Sequence, residues 1–259
     1  MKFLLLALLL TFSISTQADT VVLSDQNTLS LNGPVDGNSM TSLMVKLQAL
    51  NKIDTKEPIF LLINSPGGSI YDGFDFIRFA QTSKRKINTV TLFSASMAFQ
   101  IVESLGIRYV TSYSTLMSHR AAGGVSGIFP GPLDTRYSHI LSHIKEQDNL
   151  VVQRTKGKQT AASYATLIQN EYWANSERAI SDGFADIEVS VSCDKSLEGS
   201  HNELIDLGFF ALDVKFANCP LITSPISINI ARGYNYLEAN KMDAIQEFKK
   251  IFDIKNIKN

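Results

Sequence analysis

Pro58-Ile59-Phe60-Leu61-Leu62-Ile63-Asn64-Ser65-Pro66-Gly67-Gly68-Ser69 joins a continuous apolar run of strand length to a turn with paired glycines. An unbroken run suits a parallel strand covered on both faces, because a half-exposed strand would alternate apolar with polar residues. The glycines let the backbone pass close to another group with no side chain in the way. On the N-terminal side, Thr28-Leu29-Ser30-Leu31-Asn32 alternates and stops at Gly33-Pro34. Met40, Leu43, Met44, Leu47 and Leu50 then fall at helical spacing, with Asp36 or Asn38 available to cap. On the C-terminal side, Phe74, Ile77, Phe79 and Ala80 mark a helix over residues 72–82. Residues 87–93 read as the next strand, 96–105 as helix and 108–111 as strand. This alternation predicts an α/β domain with right-handed crossovers.

Gly123, Gly124 and Gly127 interrupt the pattern. Residues 133–155 then have the length and periodicity of a long exposed helix, and 162–169 of a short one. Residues 190–259 differ in character, holding Pro220, Pro225, both cysteines and a helix-forming run at 237–252 before a frayed tail at 255–259. At the other end, Met1-Lys2 precedes an apolar run too short to span a bilayer, then small and polar residues ending Thr16-Gln17-Ala18-Asp19. This is the layout of a cleaved secretory signal with its junction at Ala18/Asp19. The alternative is an uncleaved anchor or a buried first helix. The expected organisation is a signal peptide at 1–18, a core at 19–189 and a C-terminal extension at 190–259. Export places the protein in the periplasm or outside the cell, with no membrane segment after cleavage. There Cys193 and Cys219, the only two cysteines, are expected to form a disulfide rather than remain two separate buried thiols. Lys plus Arg number 24 against 25 Asp plus Glu, so no charge bias points to nucleic acid or an anionic membrane.

Ser96 lies in Phe93-Ser94-Ala95-Ser96-Met97-Ala98 at a strand-to-helix turn, which sets the Met97 amide at a helix N-terminus. A serine hydroxyl is a weak nucleophile at neutral pH, so hydrolytic chemistry needs a base beside it and backbone donors where the oxyanion forms. His119, in Leu116-Met117-Ser118-His119-Arg120, is the candidate base. Taken singly, such a serine is more often a helix cap and such a histidine an ordinary one. His139 and His143 have metal-ligand spacing on the long helix but no acidic or cysteine partner nearby, and are read as solvent-exposed. No Walker-type phosphate loop occurs, so the chain supplies no ATP-driven unfolding of its own.

Read together, Asn64-Ser65-Pro66-Gly67-Gly68-Ser69-Ile70, Ala95-Ser96-Met97 and His119-Arg120-Ala121-Ala122-Gly123-Gly124-Val125-Ser126-Gly127 resemble the proteolytic subunit of Clp proteases in order and spacing. The likeness runs over residues 29–186 and includes the closing stretch at 174–186. It implies a ClpP/crotonase-like core of stacked ββα units with a long handle helix and a C-terminal extension. It also implies Ser96 as nucleophile, His119 as base, and the Gly68 and Met97 amides as oxyanion donors. Gly123, Gly124 and Val125 take the place of the edge that pairs with substrate backbone, and 133–155 that of the handle by which rings stack. A homo-oligomer is therefore expected, with Leu141, Ile144, Leu150 and Val151 buried between subunits. The family's triad aspartate stands two residues before the aromatic that opens the closing stretch. With Trp173 as that aromatic, the position holds Glu171, with Asn170 beside it. A glutamate can orient a histidine; otherwise Glu171 is a solvated surface carboxylate.

The expected function is an exported serine endopeptidase acting on small or unfolded peptides through an acyl-enzyme, with no cofactor, no metal and no ATPase partner outside the cytoplasm. One alternative resembles the signal peptide peptidase A branch, with a lysine base drawn from Lys84 or Lys86 near Arg85. Another is an inactive binding or assembly module on the same fold. Acyl-CoA chemistry of the crotonase type shares the fold, but the serine and histidine pattern argues against it.

Overall fold

The structure is a computed structural model that describes residues 20–206 and 211–231. The expected signal peptide and the 237–252 helix lie outside the described residues. The described residues begin with β1 (Thr20–Leu23) and β2 (Thr28–Asn32), then α1 (Gly37–Leu50), β3 (Ile59–Ser65), α2 (Ile70–Ala80), β4 (Ile87–Ala95), α3 (Met97–Ser104) and β5 (Arg108–Ser118). After the long helix α4 (Pro132–Arg154) come α5 (Ala161–Leu167), β6 (Tyr172–Asn175), α6 (Ser176–Asp182) and β7 (Ile187–Glu188). The central sheet runs β2-β3-β4-β5-β6, with β7 also paired to β5. Its first four strands are parallel and β6 is antiparallel, so the α/β reading holds.

The apolar run of β3 is continuous because both faces of the sheet are covered. Ile59, Leu61 and Ile63 join Leu29, Leu47, Phe76 and Ile101 in the cluster beneath α1, α2 and α3. Leu62 points the other way, into a cluster with Val21, Leu23, Val90 and Val189. Asp36 caps α1, accepting from the Ser39 amide at 2.8 Å. Helix α2 starts earlier than its apolar spacing suggests, because Ser69 Oγ caps it by accepting from the Asp72 amide.

Strand β5 runs well past the expected 111. Its register against β4 jumps from Thr91↔Val110 to Phe93↔Thr115, so residues 111–114 form a bulge. Ser114 Oγ closes it by accepting from the Thr111 amide at 2.7 Å and donating to Thr91 O at 2.6 Å. Tyr113, at positive φ and almost fully exposed, tips the bulge and ends the sequence signal early.

The region beyond 190 is joined to the core at its start. Strand β8 (Ser190–Cys193) pairs in parallel with β1, and the pair covers the outer face of the sheet. Next, β9 (Ser200–Asp206), β10 (Ala211–Ala217) and β11 (Ser227–Ile230) form an antiparallel sheet. Cys193 and Cys219 are joined by a disulfide. Among the described residues no helix is long and apolar enough to cross a membrane.

Candidate active site

Neighbouring parallel strands bring Ser96 and His119 together. Ala95 of β4 sits beside Met117 of β5, so the residues just past the two strand ends emerge side by side. His119 Nε2 lies 2.8 Å from Ser96 Oγ. Ser96 itself has φ 56° and ψ −122°, a conformation that L-residues avoid and that persists only when its surroundings enforce it. Here its amide donates to Met117 O at 3.0 Å and its carbonyl accepts from the Gln100 amide at 3.2 Å. The hydroxyl does not cap α3, so the helix-cap reading of this serine gives way. Directly before His119, the buried Ser118 hydroxyl pairs with Tyr164 OH of α5 at 2.9 Å and fixes the strand end.

The glycine pair ends β3 against this turn. A Cβ on Gly67, which has φ 86°, would lie 2.5 Å from Ala95 O and 2.7 Å from Ser96 Cβ, so no larger residue fits. Val35 holds the loop on both sides: its amide donates to Gly67 O at 2.9 Å and its carbonyl accepts from the Ser69 amide at 2.8 Å. The Gly68 amide and the Met97 amide, at the start of α3, have no protein acceptor among the described residues. Both are therefore free to donate to a developing oxyanion, with the positive end of α3 behind the second.

The other expected residues are placed differently. Glu171 is exposed at φ 64°, and its carboxylate accepts from the Trp173 indole at 2.9 Å. Among the described residues no carboxylate pairs with His119. Asn170 ends a short 3-10 turn just before it. Gly123, Gly124 and Val125 lie in a segment without regular secondary structure, and the walls beside His119 are instead Arg120, Ala121 and Ala122. Lys84 and Lys86 are exposed at the opposite end of β4, a strand of 9 residues. At about 3.3 Å per residue they stand some ~30 Å from Ser96 and cannot reach it. Arg85 between them is buried and donates to the carbonyls of Gln26, Leu50 and Glu57. His139 is exposed as read, but His143 packs against Phe74 and His139 and has an acidic neighbour that the sequence reading did not expect, Glu146 Oε2 at 3.5 Å from its Nδ1. Val151 is fully buried within its own chain, in the cluster with Phe99 and Tyr164, and is not free for a subunit contact.

Two features escape sequence reading. One is a cavity of about 820 Å³ that opens on Ser96, Met97, Gly68 and His119 and is walled by one face of α4. The other is a charge cluster at the far end of α3. Arg108 donates to Asp186 through Nε and a terminal nitrogen at 3.1 and 2.9 Å, and to the fully buried Glu103 at 2.5 Å. It also reaches Arg154 O at the end of α4, tying that helix to the serine's helix. Burial pushes the Glu103 carboxyl up to about 8, against the pull of Arg108. Burial also opposes ionisation of Asp186, but hydrogen bonds from Arg108 hold it well below the usual carboxylate range. Lys156, 3.4 Å from Asp186, and Arg154 add two further cations to Arg108, while burial favours the protonated form of Glu103 against the pull of the two arginines.

A family model described as Clp protease matches residues 15–191. Among curated proteins, the ATP-dependent Clp protease proteolytic subunit of Streptococcus suis (strain 98HAH33) is 26% identical over 164 residues, covering 61% of this chain and 82% of that protein. The subunit of the same description from Streptococcus pyogenes serotype M5 (strain Manfredo) is 27% identical over 164 residues, with the same coverage. The match extends beyond the 29–186 stretch in which the motifs fall, and it contains Ser96, His119 and the glycine turn. Because it takes in more than half of the chain, this protein belongs to the Clp protease family.

Proposed function

We propose that the protein is a serine endopeptidase that hydrolyses peptides through an acyl-enzyme on Ser96. The observation that carries this reading is the 2.8 Å contact between His119 Nε2 and the hydroxyl of a serine in strained backbone. In the first half-reaction His119 takes the Ser96 proton as Oγ bonds to the substrate carbonyl carbon. The Gly68 and Met97 amides receive the oxyanion. The proton then passes to the leaving amine as the C–N bond breaks, and water repeats the sequence on the ester. Glu171, turned from the Trp173 indole toward His119, completes a triad by holding the imidazole in the tautomer that accepts from Ser96.

The protein works after export, in the periplasm or outside the cell, on small or already unfolded peptides and without a feeding ATPase. The layout of residues 1–18 supports this, as does the Cys193–Cys219 bond, of a kind that persists in oxidising compartments. It acts as a homo-oligomer, a reading supported by the exposed Ile128 and Phe129 before α4. The second reading, an inactive binding or assembly module, is favoured by the engagement of Glu171 with Trp173. Hydrolysis of a fluorogenic peptide library separates the two. Turnover by the purified protein that disappears in Ser96→Ala supports the peptidase, and equal rates in both proteins reject it.

A further inference from the structure

The cavity beside Ser96 has a charge that nothing among the described residues answers. Tyr137, Leu141, Ile144 and Asp148 all line it from one face of α4. Burial deepens along that face: Tyr137 is 55% and Leu141 44% exposed, Ile144 and Asp148 are half-buried, and Val151 just beyond is fully buried. The apolar wall therefore ends, toward its inner part, in a carboxylate. Among the described residues Asp148 has neither a hydrogen-bond donor nor a cation against it, and burial alone raises its affinity for a proton. Its neighbour Gln147 is committed elsewhere, donating to Gln100 O and Ser104 Oγ at 3.2 and 3.0 Å and so tying α4 to α3. Gln100, which also lines the cavity, leaves its own Oε1 without a partner. Among the described residues the one lysine or arginine on the lining is Arg120, which is exposed and makes no ion pair with them.

Because the cavity touches the nucleophile and both oxyanion donors, it lies where the side chain of the residue whose carbonyl is attacked would be held. A half-buried carboxylate has already lost part of its hydration. An apolar side chain filling the cavity would strip the rest without replacement, whereas an ammonium or guanidinium group would supply the missing donors and charge. The geometry points to Asp148 as a specificity-determining residue that selects a lysine or arginine on the acyl side of the scissile bond. This rests on the peptidase reading, and it makes the apolar wall of Leu141 and Ile144 the support for the aliphatic stem of that side chain.

Fluorogenic peptides that differ only at the residue before the scissile bond test it. The ratio of kcat/KM for lysine or arginine over leucine is expected to exceed ten in the parent protein. It is expected to fall at least tenfold in Asp148→Asn, a change that keeps the shape and removes the charge. A parent ratio near or below one, or an unaltered ratio in Asp148→Asn, overturns the assignment. Poor folding of the variant would scale both rates alike and cancel from the ratio, which still reports the preference of the folded fraction. Calorimetric binding to Ser96→Ala protein, using acetylated tripeptides that end in lysine or leucine, reads the same cavity without turnover. Tighter binding of the lysine peptide, lost on adding Asp148→Asn, supports the proposal even if no hydrolysis occurs, and equal binding overturns it. Labelling of the parent with a fluorophosphonate reports separately on the peptidase reading.

Discussion

Replacing Glu103 by glutamine keeps the shape of a buried side chain and removes its ability to ionise. Glu103 is wholly enclosed, and its carboxyl is pushed from an ordinary 4.5 up to about 8. In the folded chain it therefore keeps its proton through neutral pH, while in the unfolded chain it releases it. Folded protein binds more protons than unfolded between these two values, so stability is fully present below 4.5 and is lost as pH rises toward 8. Each pKa unit is worth about 1.4 kcal/mol, so at pH 7 the loss approaches about 3 kcal/mol. Glutamine has no such loss: its carbonyl accepts from Arg108 as the neutral acid does. Urea unfolding of both proteins at pH 5, 6, 7 and 8 is the assay, since the difference between them isolates Glu103 from every other titrating group. Asp186 does not enter this window, because its lowered pKa acts only as pH falls below its ordinary 3.8. The expected result is near-equal stability at pH 5 and a growing advantage for Glu103→Gln toward pH 8. A variant less stable than the parent by the same amount at every pH would show that Glu103 is ionised beside Arg108, and would refute the reasoning.

His119→Ala is expected to lower peptide turnover by about four orders of magnitude or more, because members of a catalytic unit fail together; steady-state kinetics against the same substrate measures it. Glu171→Gln should lower kcat by about 10²- to 10⁴-fold with little change in melting temperature if it orients His119, whereas Trp173→Phe, which frees the carboxylate, should preserve or raise kcat. Equal, small effects from both would leave a two-residue site. Cys193 and Cys219 should give no thiol titre in denatured, unreduced protein. Replacing both with serine should cost about 3.5 kcal/mol for their sequence separation of 26, read from urea midpoints.

The parallel core was legible because β3 and β4 are buried on both faces and α1 shows one apolar stripe, so composition alone reports their surroundings. The nucleophile turn was legible for a related reason: only glycine fits at 67, where a Cβ would meet Ala95 O and Ser96 Cβ. The full length of β5 was hidden by the bulge at 111–114, whose Ser112 and Tyr113 read as a loop although pairing resumes at Thr115. Small strands such as β6 and β8 carry too few residues for periodicity to show. The cluster of Glu103, Arg108 and Asp186 was invisible because each residue alone reads as surface charge, and only the fold reveals that they share one buried volume. Asp148 was hidden in the same way, as one more polar position on a helix read as exposed. Glu171 shows the opposite case, since its position relative to Trp173 was legible but the indole hydrogen bond that engages it was not.

Fluorophosphonate labelling of the native protein, followed by peptide mapping of the adduct, tests the central claim most directly. The reagent reacts with a serine only where a base activates the hydroxyl and donors receive the developing negative charge. A single adduct on Ser96, formed by native protein and lost in both denatured protein and His119→Ala, is the predicted result. No adduct on folded protein, or an adduct on a different serine, would contradict it.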